Sequence, residues 1–418
     1  MSPQSFSQPS VGAESQRKAL EQELSDVLDL VGPVPLVDLL FERAFDANAT
    51  DIHLDAIEQG LRVRLRVDGM LHDVLRMGAA AAAPVISRIK ILAGMNISER
   101  RLAQDGHLTI QMGESQRDIR VGSGPTIYGE RLVCRLLTER MNFRGLGDLG
   151  LEPGQITTLT KLLLYPHGML LSVGPVGSGK STLMYSLLEL LNQPTRSLVS
   201  IEDPVERRVE GVCQIQVEPK IEFGFAEALR AVLRQDPNTI MVGEIRDPDT
   251  ANIAVRAGRT GVLVLSTMHA NDAPSTIDVF KDFGIPPMFI ADSVVAIVSQ
   301  RLLRKVCVNC AETYVPEPAS RQAAGLHPDD HRPMEWKRGR GCPECFSTGY
   351  KGRTGIFEVF TLDSEMRKAI LAGEPRHNLL KMARDKGIRT LAEVGLQKVI
   401  EGITTPEELA RVATLDVP

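Results

Sequence analysis

Three glycines, a lysine and a hydroxyl residue stand close together in Gly174-Pro175-Val176-Gly177-Ser178-Gly179-Lys180-Ser181, with Thr182 behind them. The spacing G-x-x-x-x-G-K-[ST] lets successive backbone N–H groups wrap around phosphate oxygens, carries the lysine to the outer phosphates and offers the hydroxyl to Mg²⁺. An apolar strand pattern, Met169 to Val173, precedes this run and a helical pattern, Lys180 to Leu191, follows it, which is the context the chemistry requires. A phosphate site also needs acids for metal and water. Glu202 closes a strand pattern in SIEDPVE (200–206) and is the candidate for orienting water. Glu244, in TIMVGEIRD (239–247), has the form of a Walker B acid that holds Mg²⁺ through water. His269 and Asn271, in STMHAND (266–272), follow another apolar strand pattern and would sense a terminal phosphate or orient water. Negative charge developing on a transferred phosphoryl group calls for arginine; the candidates are Arg120 and Arg135, with Arg101 and Arg131 in reserve. The ligands expected are therefore ATP and Mg²⁺, with Ser181 and Glu244 serving the metal. The plain alternatives are a glycine turn without ligand, helix-capping acids, a hydrogen-bonded loop histidine and a salt-bridged strand face.

A second constellation is Cys307-Val-Asn-Cys310 and Cys342-Pro-Glu-Cys345. Two C-x-x-C hooks close four thiolates around a tetrahedral Zn²⁺ and leave no position for water, so this site reads as structural, with iron as the alternative metal. Cys134 and Cys213 read as packing cysteines. The 418 residues, 43% hydrophobic and 24% charged, predict two or three globular domains with their own cores. A net charge of −5, a pI near 6.0 and only 4% aromatic residues give neither a basic field nor stacking platforms, which argues against nucleic acid as a direct partner. No signal-peptide pattern and no run of about 18 apolar residues is found, so the expectation is a cytoplasmic protein that meets a membrane only through partners.

The elements that must position these residues fall into six stretches. Residues 1–33 read as a flexible tail with an amphipathic stretch around Leu20 to Leu30 able to form a short helix, and 34–141 as a small α+β domain. In the latter, LRVRLRV (61–67) alternates strictly, with Leu61, Val63, Leu65 and Val67 on a buried face and Arg62, Arg64 and Arg66 on the other. Helices are expected at Leu36 to Ala47 and Pro84 to Ala93. The glycine-dense 142–154 reads as a hinge. From 155 to 300, short apolar strands alternate with helical patterns, which predicts a mostly parallel sheet covered by helices. Residues 301–358 hold the cysteines, and 359–418 are helical. The fold class expected is α/β: a small N-terminal domain joined by a linker to a RecA-like P-loop domain with a tetracysteine zinc subdomain.

DIHLDAIEQGLRVRLRVDG (51–69), GPVGSGKST, SIEDPVE, RQDPNTIMVGEIRDPDTA, STMHANDA, QRLLR and CPECFSTGYKGRTGIFE (342–358) together resemble the ATPases of type II secretion and type IV pilus assembly, from about Val34 onward. The resemblance implies a homo-hexameric motor that hydrolyses ATP to ADP and phosphate while its two domains rotate about the linker, working at an inner-membrane platform protein. It makes Glu202 the catalytic glutamate, Glu244 the Walker B acid, and Arg120 and Arg135 the arginines facing nucleotide. The four cysteines favour the assembly and secretion branch over retraction motors. Departures from the pattern are Val262 where a first histidine is common, His107 in a segment often reading Q-D-G-R, and only a short tail where a docking module often stands. A RecA-like nucleic-acid motor and a nucleotide-binding regulator without turnover are the competing readings.

Overall fold

The computed structural model describes residues 14–113, 115–137, 145–323, 325 and 336–413. The chain divides into two compact units: one gathers residues up to 141 with 304–313 and 337–352, the other 142–303, 314–336 and 353 onward.

The first unit opens with α1 (Glu14–Leu30), α2 (Pro33–Asp46), β1 (Asp51–Ile57), β2 (Gly60–Val67), β3 (Met70–Gly78), α3 (Ala79–Leu92), β4 (Gln104–Met112), β5 (Ser115–Thr126) and β6 (Gly129–Leu136). Its strands form an antiparallel sheet in the order β3-β2-β1-β6-β5-β4. The alternation in β2 does what its period dictates: Leu61, Val63 and Leu65 are fully buried, in one core with Leu36, Leu40 and Phe41 of α2 and Val85 and Ile89 of α3. The opposite face is ionic. Asp55 of β1 accepts from Arg64 Nε at 2.8 Å and from Arg131 Nε at 2.8 Å, while Arg135 Nε lies 3.4 Å from Asp51.

Two expectations for this unit change. The stretch before residue 34 is helical from Glu14, and Leu24 of α1 is fully buried. Leu20, Leu24, Val27 and Leu28 recur at helical spacing and pack on the core, which ties the segment down; residues 1–13 lie outside the described residues. Helix α3 runs through Pro84 rather than starting there, because the alanines before it are strong helix formers.

The second unit contains α4 (Pro153–Leu162), β7 (Gly168–Val173), α5 (Lys180–Leu191), β8 (Leu198–Glu202), β9 (Cys213–Gln216), α6 (Phe225–Val232), β10 (Thr239–Val242), α7 (Pro248–Arg259), β11 (Leu263–Met268), α8 (Ala273–Asp282), α9 (Pro287–Ser293) and β12 (Val294–Val306). After them the chain forms β13 (Ala311–Thr313), α10 (Pro318–Ala323), β14 (Lys337–Gly339), β15 (Tyr350–Thr361), α11 (Ser364–Ala372), α12 (Arg376–Asp385), α13 (Leu391–Ile400) and α14 (Pro406–Val412); of these, β13, β14 and the start of β15, with the end of β12, belong to the first unit. The main sheet runs β15-β12-β7-β11-β10-β8-β9, and β12 through β9 are mutually parallel. Strands β7, β8, β10 and β11 are buried along their whole length, as a parallel sheet covered on both faces must be.

The expected hinge is packed where it is described. Leu146, Leu149 and Leu151 are buried in the second unit's core, and Gly150, at φ +103°, lies so close to Gly355 that a Cβ would sit 2.5 Å from its carbonyl oxygen. Leucines among the glycines give this segment a core to join; residues 142–144 lie outside the described residues. Strands β12 and β15 run across the boundaries expected at 300/301 and 358/359.

Candidate nucleotide-binding site

Strand β7 ends at Val173 and the chain turns over 174–179 into α5. Two of its glycines are obligatory. Gly174 is at φ +153°, where a Cβ would come within 2.6 Å of Gln300 O, and Gly179 is at φ +91° immediately before the helix. The loop is braced from β12. The buried Gln300 donates Nε2 to Ser178 O at 2.6 Å and accepts from Ser172 Oγ at 2.9 Å. Lys180 Nζ donates to Gly174 O at 2.8 Å and Pro175 O at 3.1 Å. Burial pushes its pKa below the ordinary lysine value; the Glu244 charge opposes that shift and Arg301 adds to it.

The acids arrive at the carboxyl ends of neighbouring parallel strands, the edge of an α/β sheet where ligands bind. β10 passes Gly243 and reaches Glu244; Gly243 N donates to Ile201 O at 2.7 Å and Gly243 O accepts from Thr267 Oγ1 at 2.8 Å, so the ends of β8, β10 and β11 are laced together. Glu244 pairs with Arg246, and His269 Nε2 lies 3.6 Å from its other oxygen. Glu202, the last residue of β8, is buried and accepts from Ser200 Oγ at 2.5 Å, from Gln214 Nε2 at 3.1 Å and from the Tyr185 hydroxyl. Ser181 and Thr182 open α5, half-buried. Five expected elements therefore converge: the phosphate loop, Ser181, Glu202, Glu244 and His269. Val262 is buried in the core ahead of β11, a strand's length or roughly 20 Å from His269. Its departure from the pattern leaves the histidine's surroundings intact.

The arginines belong to the other unit. Arg135 faces Arg120 across β5 and β6 and is engaged by Asp51, Arg131 is held by Asp55, and Arg101 is largely exposed beside Glu99. The salt-bridged strand face thus describes Arg131 and Arg135 within their own unit. Tyr185 was missed on the sequence, and Gln300 and Arg301 were read only as the start of the QRLLR match, without a role at the site. Arg301 donates to Gln300 O at 2.9 Å and to Asn271 O at 3.1 Å, linking β12 to the loop that carries His269. A polar pair ending the apolar run of β12 was the available signal for Gln300 and Arg301.

Among the described residues, Cys307, Cys310, Cys342 and Cys345 form the cluster able to hold a metal ion, with all four Sγ atoms within 4.8 Å of one another. Sulfur separations of 3.7, 3.8 and 3.9 Å match the edge of a tetrahedron with Zn–S bonds of about 2.3 Å, which is about 3.8 Å. The donor set and spacing fit zinc. Strands β13 and β14, three residues each, pair between the hooks. Cys134 is fully buried and burial pushes its thiol up to about 12, as a packing cysteine's should be; Cys213 is exposed on β9 and corrects the expectation that it packs.

A glycine-rich strand-to-helix loop with a buried lysine, two strand-end acids and a parallel sheet in this order define a RecA-like P-loop nucleotide-binding protein. The chain belongs to the Type II/IV secretion system protein family, whose model matches residues 29–411. It is 42% identical over 393 residues to "Type II secretion system protein E" of Pseudomonas aeruginosa, covering 93% of this chain and 78% of that one. It is 40% identical over 401 residues to "Type IV pilus assembly ATPase PilB" of Thermus thermophilus, covering 96% of this chain and 45% of that one. Among solved structures, the Legionella pneumophila ATPase DotB has a TM-score of 0.67 at 19% identity, covering 90% of this chain and 94% of that one. The pilus retraction motor PilT with bound ADP has a TM-score of 0.62 at 24% identity, covering 88% and 94%. At that identity the likeness supports the fold. No helix among the described residues is long and apolar enough to cross a membrane.

Proposed function

We propose that this chain hydrolyses ATP to ADP and phosphate as a homo-hexamer in the cytoplasm, and that the resulting movement drives type II secretion or type IV pilus assembly through an inner-membrane platform protein. The observation that carries this reading is the convergence of the phosphate loop, Glu202, Glu244 and His269 on one edge of the sheet, in a chain related along most of its length to secretion and pilus-assembly proteins. Lys180 and the loop N–H groups bind the outer phosphates, Glu202 orients and deprotonates the attacking water, and His269 reports on the terminal phosphate through its neighbour Glu244. Ser181 and Glu244 would hold Mg²⁺, which would neutralise phosphate charge when bound. Arg120 and Arg135 meet the phosphoryl charge when the ring is assembled. The four cysteines hold zinc as a structural brace.

The test is steady-state ATPase activity of the full chain with Mg²⁺, with Glu202→Gln as control. The variant is expected to bind ATP with unchanged affinity and to lose turnover by roughly 10²–10⁴-fold, the range of a removed general base. Undiminished hydrolysis by that variant would falsify the assignment.

A further inference from the structure

Tyr185 stands in the second turn of α5, five residues beyond Lys180 and about 7.5 Å along the same helix. Its ring is buried among the apolar residues under the sheet, and Arg207 lies over it at 5.1 Å. Its hydroxyl is fully employed. It accepts from the backbone N–H groups of Glu206 and Arg207, each at 3.2 Å, and donates its hydrogen to Glu202 Oε2. The other carboxylate oxygen, Oε1, is held by Ser200 and Gln214, and Gln214 also donates to Arg207 O at 2.8 Å. Burial, reinforced by the Glu202 charge, pushes the phenol well above its ordinary pKa, so it remains a donor.

We propose that Tyr185 is a positioning residue for Glu202: its hydroxyl fixes the carboxylate to the helix that carries the phosphate loop. This rests on Glu202 being the carboxylate that activates water. The physical case has two parts. Two N–H groups donating into the hydroxyl oxygen polarise its O–H, which strengthens the bond passed on to the carboxylate. Because Lys180 and Tyr185 share one rigid helix, the group that reads the outer phosphates and the group that aims the acid keep a fixed spacing, and misplacement by about 1 Å at such a site costs of order a hundredfold in rate. The same hydroxyl holds the loop after Glu202 against α5, so the loop cannot shift without moving the acid.

The test is Tyr185→Phe, which keeps the ring in its packing and removes only the hydroxyl, measured in the full chain beside wild type and Glu202→Gln. The expected result is a kcat lowered roughly tenfold to a hundredfold, KM and Kd for ATP within about twofold of wild type, and a parallel loss of affinity for ADP with aluminium fluoride, a mimic of the transferring phosphoryl group. Wild-type kcat and aluminium-fluoride affinity in Tyr185→Phe, with Glu202→Gln inactive, overturns the role of Tyr185 and leaves the glutamate assignment standing. Full turnover in Glu202→Gln overturns the reading beneath both. An equal loss of ATP affinity and kcat in Tyr185→Phe also overturns the proposal, since it marks damage to the loop rather than misdirection of the acid.

Discussion

Lys180 shows how burial and charge set a binding residue's task. Its ammonium is paired with two loop carbonyls in a site that disfavours its charge, so a phosphate anion is the partner that restores what desolvation removes. Lys180→Ala is expected to weaken ATP binding by about 1.5–3 kcal/mol, roughly ten- to a hundredfold or more, in equilibrium titration of a fluorescent nucleotide. Unaltered affinity would count against the phosphate-loop reading. Glu358 of β15 poses a different electrostatic question. Burial first, then the neighbouring Asp272, push its carboxyl up to about 7, above the 4.5 of an unfolded chain. Between those values the folded state holds a proton that the unfolded state has lost, so stability falls as pH rises through this window and stays lower above it, by about 3 kcal/mol. Glu358→Gln removes that loss: the variant should melt above wild type at pH 8 and level with it near pH 4.5. An equal offset at both pH values would show that the carboxyl does not titrate there. Residue identity was readable where a side chain's neighbours are adjacent in sequence, as in 174–182. It was not readable for Tyr185, nor was the role of Gln300 within QRLLR, because their partners, Glu202 and Ser178, are brought to them by folding.

Short apolar strands flanked by helical patterns carry enough period to be read directly, and α5 spans Lys180 to Leu191 as the pattern predicts. Elements whose burial comes from partners distant in sequence escaped that reading. α1 was legible in part: its amphipathic stretch around Leu20 to Leu30 gave a short helix, but that it starts at Glu14 and is held by α2, β3 and the turn at Pro343–Cys345 was not. The paired β13 and β14 have the opposite problem, with three residues apiece and almost no core beyond the cysteines. The proposed zinc would supply the hold that so small a hairpin lacks. Chelation, or Cys342→Ser, is expected to raise amide hydrogen exchange across 307–313 and 337–349 by at least about tenfold while ATP affinity is retained; protection unchanged after complete metal removal would sink the zinc reading. The same logic separates the two sites, since none of the residues that hold the phosphate loop is a cysteine.

At the scale of the whole molecule, the proposed homo-hexamer, with arginines of one copy serving the site of another, would make activity depend on assembly. Specific ATPase activity should rise with protein concentration in step with the hexamer fraction measured by light scattering, and Arg135→Ala should lower kcat without lowering ATP affinity. Activity independent of mass would break the argument for arginines supplied on assembly. The division into small N-terminal part and RecA-like part was legible from the change of period near residue 142, but the return of 304–313 and 337–352 to the first unit was not. Nothing local in those segments names their partner; the recruitment is topological. It also has a consequence during synthesis. A ribosome that has finished residue 141 has not yet made the pieces that complete the first unit, and at about 5–20 residues per second they follow some ten to forty seconds later. The N-terminal sheet and its apolar core, whose buried residues all lie between Leu24 and Leu136, can therefore form while the RecA-like sheet is still being translated, and the surface that will receive 304–313 and 337–352 stays uncovered for that interval.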